Sequence, residues 1–94
     1  MAEDDSIFIG KNPFMNYVTS VIMQFTSDKS EEVVVKARGK LISRAVDVVE
    51  MVLNDFLKDS IEIKDIKIGS ELINDENKNK EIRVSTIEIY LKKI

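Results

Sequence analysis

Four cations fall within nine residues in the stretch Lys36-Ala37-Arg38-Gly39-Lys40-Leu41-Ile42-Ser43-Arg44, and no acid interrupts them. A β-prone run, Glu32 to Val35, leads in, and an apolar-periodic segment, Ala45 to Leu57, leads out. Gly39 therefore stands at a strand-to-helix junction. A turn of this kind presents basic side chains beside the free backbone N–H groups of a helix start, the combination that holds a phosphate. Taken alone, the run is better explained as solvated cations on an ordinary turn. Other chemistry is thinly provided for. The chain has no cysteine and no histidine, which removes disulfides, most nucleophile–base pairs and the commonest zinc ligands. Asp47 and Glu50, three apart on the apolar-periodic segment, read as a solvated helix face rather than a catalytic pair. The expectation is a protein that is not an enzyme and uses no metal or cofactor.

The elements that must position these cations fit one small domain. The 94 residues are 44% hydrophobic and 33% charged, as in a globular chain. The net charge of −3 is owed to Glu3, Asp4 and Asp5, so the body from Ser6 onward is neutral and the clustering of its cations matters more than their number. A neutral body argues against strong, indiscriminate binding to nucleic acid. No apolar run is long enough for a membrane span, and the acidic start is unlike a signal peptide, so the chain is expected to be cytoplasmic.

Residues 1–5 are expected to be a disordered acidic segment, and 6–94 the folded domain. Ser6 to Ile9 reads as a first strand. Asn12 is expected to cap a helix with Pro13 at its first position. Phe14, Tyr17, Val18, Val21, Ile22 and Phe25 recur at helical spacing through about Thr26. A second strand covers about Glu31 to Ala37, and a second helix runs from Lys40 or Leu41 to Leu57 or Lys58. Its apolar stripe is wider than one core face needs, which predicts burial against both a sheet and a partner. Ile61, Ile63, Ile66 and Ile68 form a third strand whose phase slips near Asp65, the mark of a bulge, and Gly69 is a further candidate bend. Residues 74–81 read as a polar turn and Ile82 to about Lys92 as a fourth strand. The order β-α-β-α-β-β predicts a single α+β domain: a four-stranded mixed sheet, two helices and a long hairpin arm.

Three motifs then resemble the archaeal Alba family of DNA/RNA-binding chromatin proteins. Ile9-Gly10-Lys11-Asn12-Pro13-Phe14-Met15-Asn16-Tyr17-Val18 is similar to the family's opening motif. Val35 to Asp47 is similar to its central motif, and Ile61-Glu62-Ile63-Lys64 with Arg83 to Ile89 to its last two strands. The resemblance implies a homodimer, or a heterodimer with a paralogue, that binds double-stranded DNA and RNA on the chromosome, with hairpin arms reaching along the duplex. By position it implies contacts from Lys11, Asn16 and Tyr17 near the first loop. It implies others from Arg38, Lys40 and Arg44 in the central patch and from Arg83 at the base of the arm. Beside these, the residues themselves offer Lys36, on the strand phase opposite Val35, and Lys78 and Lys80 on the arm as further candidate contacts. Lys11 falls at the family's acetylation position.

Each assignment has a plainer alternative. Tyr17 serves as core or as contact. Lys78, Lys80 and Arg83 touch the groove or merely keep the arm soluble. Leu53, Phe56 and Leu57 belong to the core or to an oligomer interface. The chain also departs from the family pattern: Asn12 stands where a second loop lysine is usual, and the arm tip is nearly neutral. The pI is about 5.0. All three remove phosphate contacts, so the expectation is weaker or more sequence-selective DNA binding than in basic relatives. The alternative is a role on RNA, or as a ribonucleoprotein subunit, in place of DNA packaging.

Overall fold

In a computed structural model, residues 5–77 and 79–94 are described; Lys78 and the first four residues of the acidic segment lie outside them. The strands are β1 (Ser6–Phe8), β2 (Glu32–Arg38), β3 (Ile61–Asp75) and β4 (Lys80–Lys93). Helix α1 is Phe14–Thr26. Helix α2 is Ile42–Met51, entered through a 3-10 turn at Gly39–Leu41 and continued by a wide π turn at Val52–Phe56. The sheet order is β1-β2-β4-β3, with β1 parallel to β2 and the other two pairings antiparallel. The expected α+β architecture is present: two helices and a mixed four-stranded sheet with a long hairpin.

Period-two alternation decides which face each strand buries. Val33, Val35 and Ala37 of β2 and Ile87, Ile89 and Leu91 of β4 point toward the helices and are buried. Tyr17, Val18, Val21 and Phe25 of α1 meet them, with Ala45, Val48, Val49 and Val52 of the second helical stretch. Leu91 and seven of these valines are essentially sealed from water. Burying each such side chain is worth roughly 1.5–3 kcal/mol, which is why the β-branched runs fix the strand phase. No helix among the described residues is long and apolar enough to cross a membrane.

The phase slip near Asp65 is a bulge. The β3–β4 register shifts between Ile63 and Asp65, leaving Lys64 unpaired. The extra residue returns Ile66 and Ile68 to the face shared by Ile61 and Ile63, and Leu72 follows two steps beyond Ser70. One row of apolar side chains thus lies on the helix side of β3. The helices cover Ile61 and leave the rest of this row exposed.

Three expectations are corrected. Asn12 does not cap α1: Pro13 is the capping residue, in an extended conformation (φ −53°, ψ 141°), and the helix begins at Phe14. Asn12 is held elsewhere, by its own backbone. The polar stretch 74–81 is not all turn, because the ladder continues through Asn74↔Glu81 and Asp75↔Lys80. Pairing ends at Asp75↔Lys80, just before the reversal. There the Asn77 backbone N–H donates to Asp75 Oδ1 at 3.1 Å, and Asn79 takes the left-handed conformation that asparagine tolerates. Gly69 is no bend; it pairs with Thr86 within the ladder.

Beyond the Arg38↔Thr86 pair, β2 ends and the hairpin continues alone. Ser70–Asp75 against Lys80–Ser85 therefore makes a free arm about 20 Å long. The molecule is accordingly elongated, 46 × 23 × 23 Å.

Candidate nucleic-acid interface

Because β1 and β2 are parallel and adjacent, the loops that follow them emerge at the same end of the sheet. The arm leaves from that end as well. The sequence-distant residues Lys11, Arg38, Lys40, Lys80 and Arg83 are thereby gathered at one end of the molecule. Gly39 makes the tight exit from β2, with φ at +59°, a conformation costly for any residue with a Cβ.

The loop bearing Lys11 is fixed by a residue far away in sequence. Arg44 Nη1 donates to the Gly10 carbonyl at 2.7 Å, and Nη2 donates to the Asn12 carbonyl at 2.7 Å. Its guanidinium also lies 5.6 Å from the centre of the Tyr17 ring. The Tyr17 hydroxyl in turn accepts the Asn12 backbone N–H at 3.1 Å. A Cβ on residue 10 would lie 3.0 Å from that hydroxyl, so any other residue would push the hydroxyl back by a few tenths of an ångström. Arg44, Tyr17, Gly10 and Asn12 form one clamp. It holds the carbonyls on either side of Lys11 inward and leaves that side chain outward, in solvent.

Of the alternatives for Tyr17, the structure takes the core: the ring is buried and its hydroxyl is engaged. Arg44 spends its guanidinium on the loop and is only half-exposed. Asn16 is exposed on the first turn of α1, where its carbonyl accepts the Ser20 hydroxyl at 2.8 Å. Lys11 and Lys40 are exposed and have no side-chain partner among the described residues. Within the first loop and the central cationic stretch they are the readily available cations.

Arg38 is differently placed. It projects from the open face of the sheet, away from the helices, and its Nη1 is ion-paired with Glu71 of β3. Lys36, on the same face, lies 3.9 Å from Glu88 and 5.3 Å above the ring of the exposed Phe8. Lys64–Glu32 at 2.7 Å and Lys92–Glu62 at 3.6 Å complete a set of four ion pairs among the described residues of this face. Tyr90 adds to it, donating to Glu88 at 2.6 Å beneath the Lys67 ammonium, 5.0 Å from its ring. That bond to a carboxylate, with the burial and the negative charge beside it, raises the phenol above its ordinary pKa. The open face is neutralised by its own carboxylates. Between Phe8 and the arm base lies a groove of about 480 Å³, floored by Ile9, Ala37, Leu41 and Ile87 and rimmed by the Lys36 and Arg38 pairs.

On the arm, Arg83 Nη1 donates to Ser70 Oγ at 3.1 Å, and Lys80 stands exposed opposite Asp75. Lys78 is outside the described residues. At the far end of the second helix Phe56 is 50% exposed, with Leu53 and Leu57 half-buried beside it. A larger apolar surface, one that the sequence reading does not assign, lies on β3. Ile63, Ile66, Ile68 and Leu72 are all exposed, Ile68 at 83%. Its signal is the spacing 61, 63, 66, 68, which a single bulge turns into one face.

The Alba family model matches residues 5–70. A protein of Methanococcus maripaludis named DNA/RNA-binding protein Alba is 51% identical over 88 residues, covering 94% of this chain and 97% of its own length. The Nanoarchaeum equitans protein of the same name is 52% identical over 87 residues, covering 93% and 96%. Among solved structures, Alba from Thermoplasma volcanium superposes with a TM-score of 0.85 at 40% identity, covering 93% of this chain and 98% of that one. The Trypanosoma brucei structure shares the fold at 24% identity, with a TM-score of 0.74 over 99% of this chain and 72% of its own.

Proposed function

This chain belongs to the Alba family, and from that premise we propose that it is a non-catalytic, dimeric, nucleic-acid-binding protein of archaeal chromatin. Lys11 and Lys40 contact phosphates at the end of the sheet, Arg38 joins them, and the arms reach along the duplex. The observation that carries this reading is the gathering of two unpartnered lysines, a guanidinium and a free arm at one end of a rigid sheet. Phosphates neutralised there release counterions, which supplies affinity without reading sequence. The relatives' shared name, DNA/RNA-binding protein, supports the same choice of ligand.

Dimerisation follows from the uncovered row on β3. A long edge strand with an exposed apolar face invites pairing, and folded monomers rarely leave one bare. In this reading Ile63, Ile66, Ile68 and Leu72 meet their counterparts across a two-fold axis, and Phe56, Leu53 and Leu57 border that contact. Acetylation of Lys11 would remove a freely available cation from the proposed interface without disturbing the clamp beneath it.

A second reading is favoured by the four ion pairs. With the open face neutralised, few cations remain for coating bulk DNA, and an RNA or a selected duplex becomes the better target. Parallel titrations of a random duplex, a selected duplex and a structured RNA at physiological salt separate the two. Packaging is the wrong reading if the random duplex binds no better than about micromolar while the RNA binds tightly. Lys11→Ala with Lys40→Ala should weaken binding to every sequence. It should also flatten the plot of log affinity against log salt by about 0.9 for each phosphate that is no longer neutralised. An unaltered slope would remove both lysines from the interface.

A further inference from the structure

We infer that Glu71 is an internal stand-in for phosphate: in the free protein it occupies Arg38, and a nucleic-acid backbone must displace it. This rests on the reading of Arg38 as a phosphate contact and adds a residue that sets how strongly that contact counts. Glu71 lies at the base of the arm, in register with Val84, whereas Arg38 is in register with Thr86 two strands away. The two side chains reach toward each other across β4 and meet above it. No apolar packing draws Glu71 there, because both groups are solvent-exposed, 60% for the arginine and 47% for the glutamate. The pairing is electrostatic, and it closes the edge of the groove where the arm departs.

Its exposure fixes its strength. An ion pair in this much water is weak and screened by salt, too weak to be a stability device. It is well matched, however, to compete with a phosphate. A carboxylate and a phosphate present the same pair of acceptor oxygens to a guanidinium, so both cannot hold Arg38 in one geometry. Lys11 and Lys40 carry no such competitor among the described residues. Glu71 therefore subtracts from one contact alone. A backbone that engages Lys11 and Lys40 first displaces it, whereas an isolated anion must displace it unaided.

The test is a cycle of Glu71→Gln, Arg38→Ala and the double variant. Each is titrated by fluorescence anisotropy with a labelled random-sequence duplex over a range of salt, and circular dichroism confirms the fold. Glu71→Gln should bind about two- to fivefold tighter per site at low salt, and the gain should shrink as salt rises. In the Arg38→Ala background the same change should alter affinity by less than about twofold. If Glu71→Gln binds no tighter than wild type, the stand-in role fails. An equal gain with Arg38 absent also overturns it, since Glu71 would then act by general repulsion. If instead Arg38→Ala leaves affinity and salt slope at wild-type values, the underlying assignment of Arg38 fails, whatever Glu71→Gln does.

Discussion

Ile68→Asp is expected to convert the proposed dimer to a monomer while leaving the fold of each chain intact. Ile68 is the most exposed of the large apolar side chains among the described residues, so the chain's own core loses nothing when it is replaced. Across a two-fold axis the substitution is made twice. Each copy forfeits roughly 1.5–3 kcal/mol of apolar burial and introduces a carboxylate that must remain solvated. Together these weaken association by a factor on the order of a thousand or more. Analytical ultracentrifugation reads the change, and far-UV circular dichroism should be superimposable on wild type. Binding to a duplex longer than one subunit's footprint should fall at least about tenfold, because two linked patches act with a high effective concentration. A variant that remains dimeric would place the interface elsewhere, at Phe56 for instance.

The second large effect is expected at Arg44. Arg44→Ala removes two charge-assisted hydrogen bonds and a cation–π contact from the loop that carries Lys11. The site is partly exposed, so a cost of about 1–2 kcal/mol is reasonable, which lowers Tm by roughly 4–8 °C for each kcal/mol in a domain this size. Arg44→Lys separates positioning from direct contact. A lysine keeps the charge but cannot bridge both carbonyls, so it should restore little of the Tm or the affinity. If Arg44→Lys binds duplex as wild type does, charge alone matters there, and the clamp has no bearing on binding.

These two sites differ in how far the sequence exposes them. The helix faces are legible because Tyr17, Val18, Val21 and Phe25 repeat with the helical period, and the core bears that out. The bulge is legible because one extra residue between Ile63 and Ile66 keeps four isoleucines on one face. What spacing cannot give is partnership across the chain. Arg44 reaches carbonyls 32 and 34 positions away, and Arg38 meets a glutamate 33 positions away. Such pairings are fixed by sheet order, which sets β1 and the loop after it beside β2 and places β4 between β2 and β3. The misplaced cap has the same origin. Asn12 is a good capping residue in isolation, but its backbone N–H and carbonyl are both taken by the clamp, and Pro13 stands at the helix start in its place.

The cationic stretch from Lys36 to Arg44 accordingly divides into three kinds of residue. Lys40 is available, Lys36 and Arg38 are held by carboxylates, and Arg44 is structural. A count of cations would treat them alike. In the proposed interface the binding strength rests on a small set of groups, with Lys11 contributed from a separate loop.

The measurement that bears most directly on a phosphate-binding surface at this end of the sheet is the salt dependence of wild-type binding to a random duplex. Lys11, Arg38 and Lys40 from both subunits of the proposed dimer predict a linear fall of log affinity with log salt, with a slope of about −5. A slope near zero, or no binding tighter than about micromolar even at low salt, would contradict it.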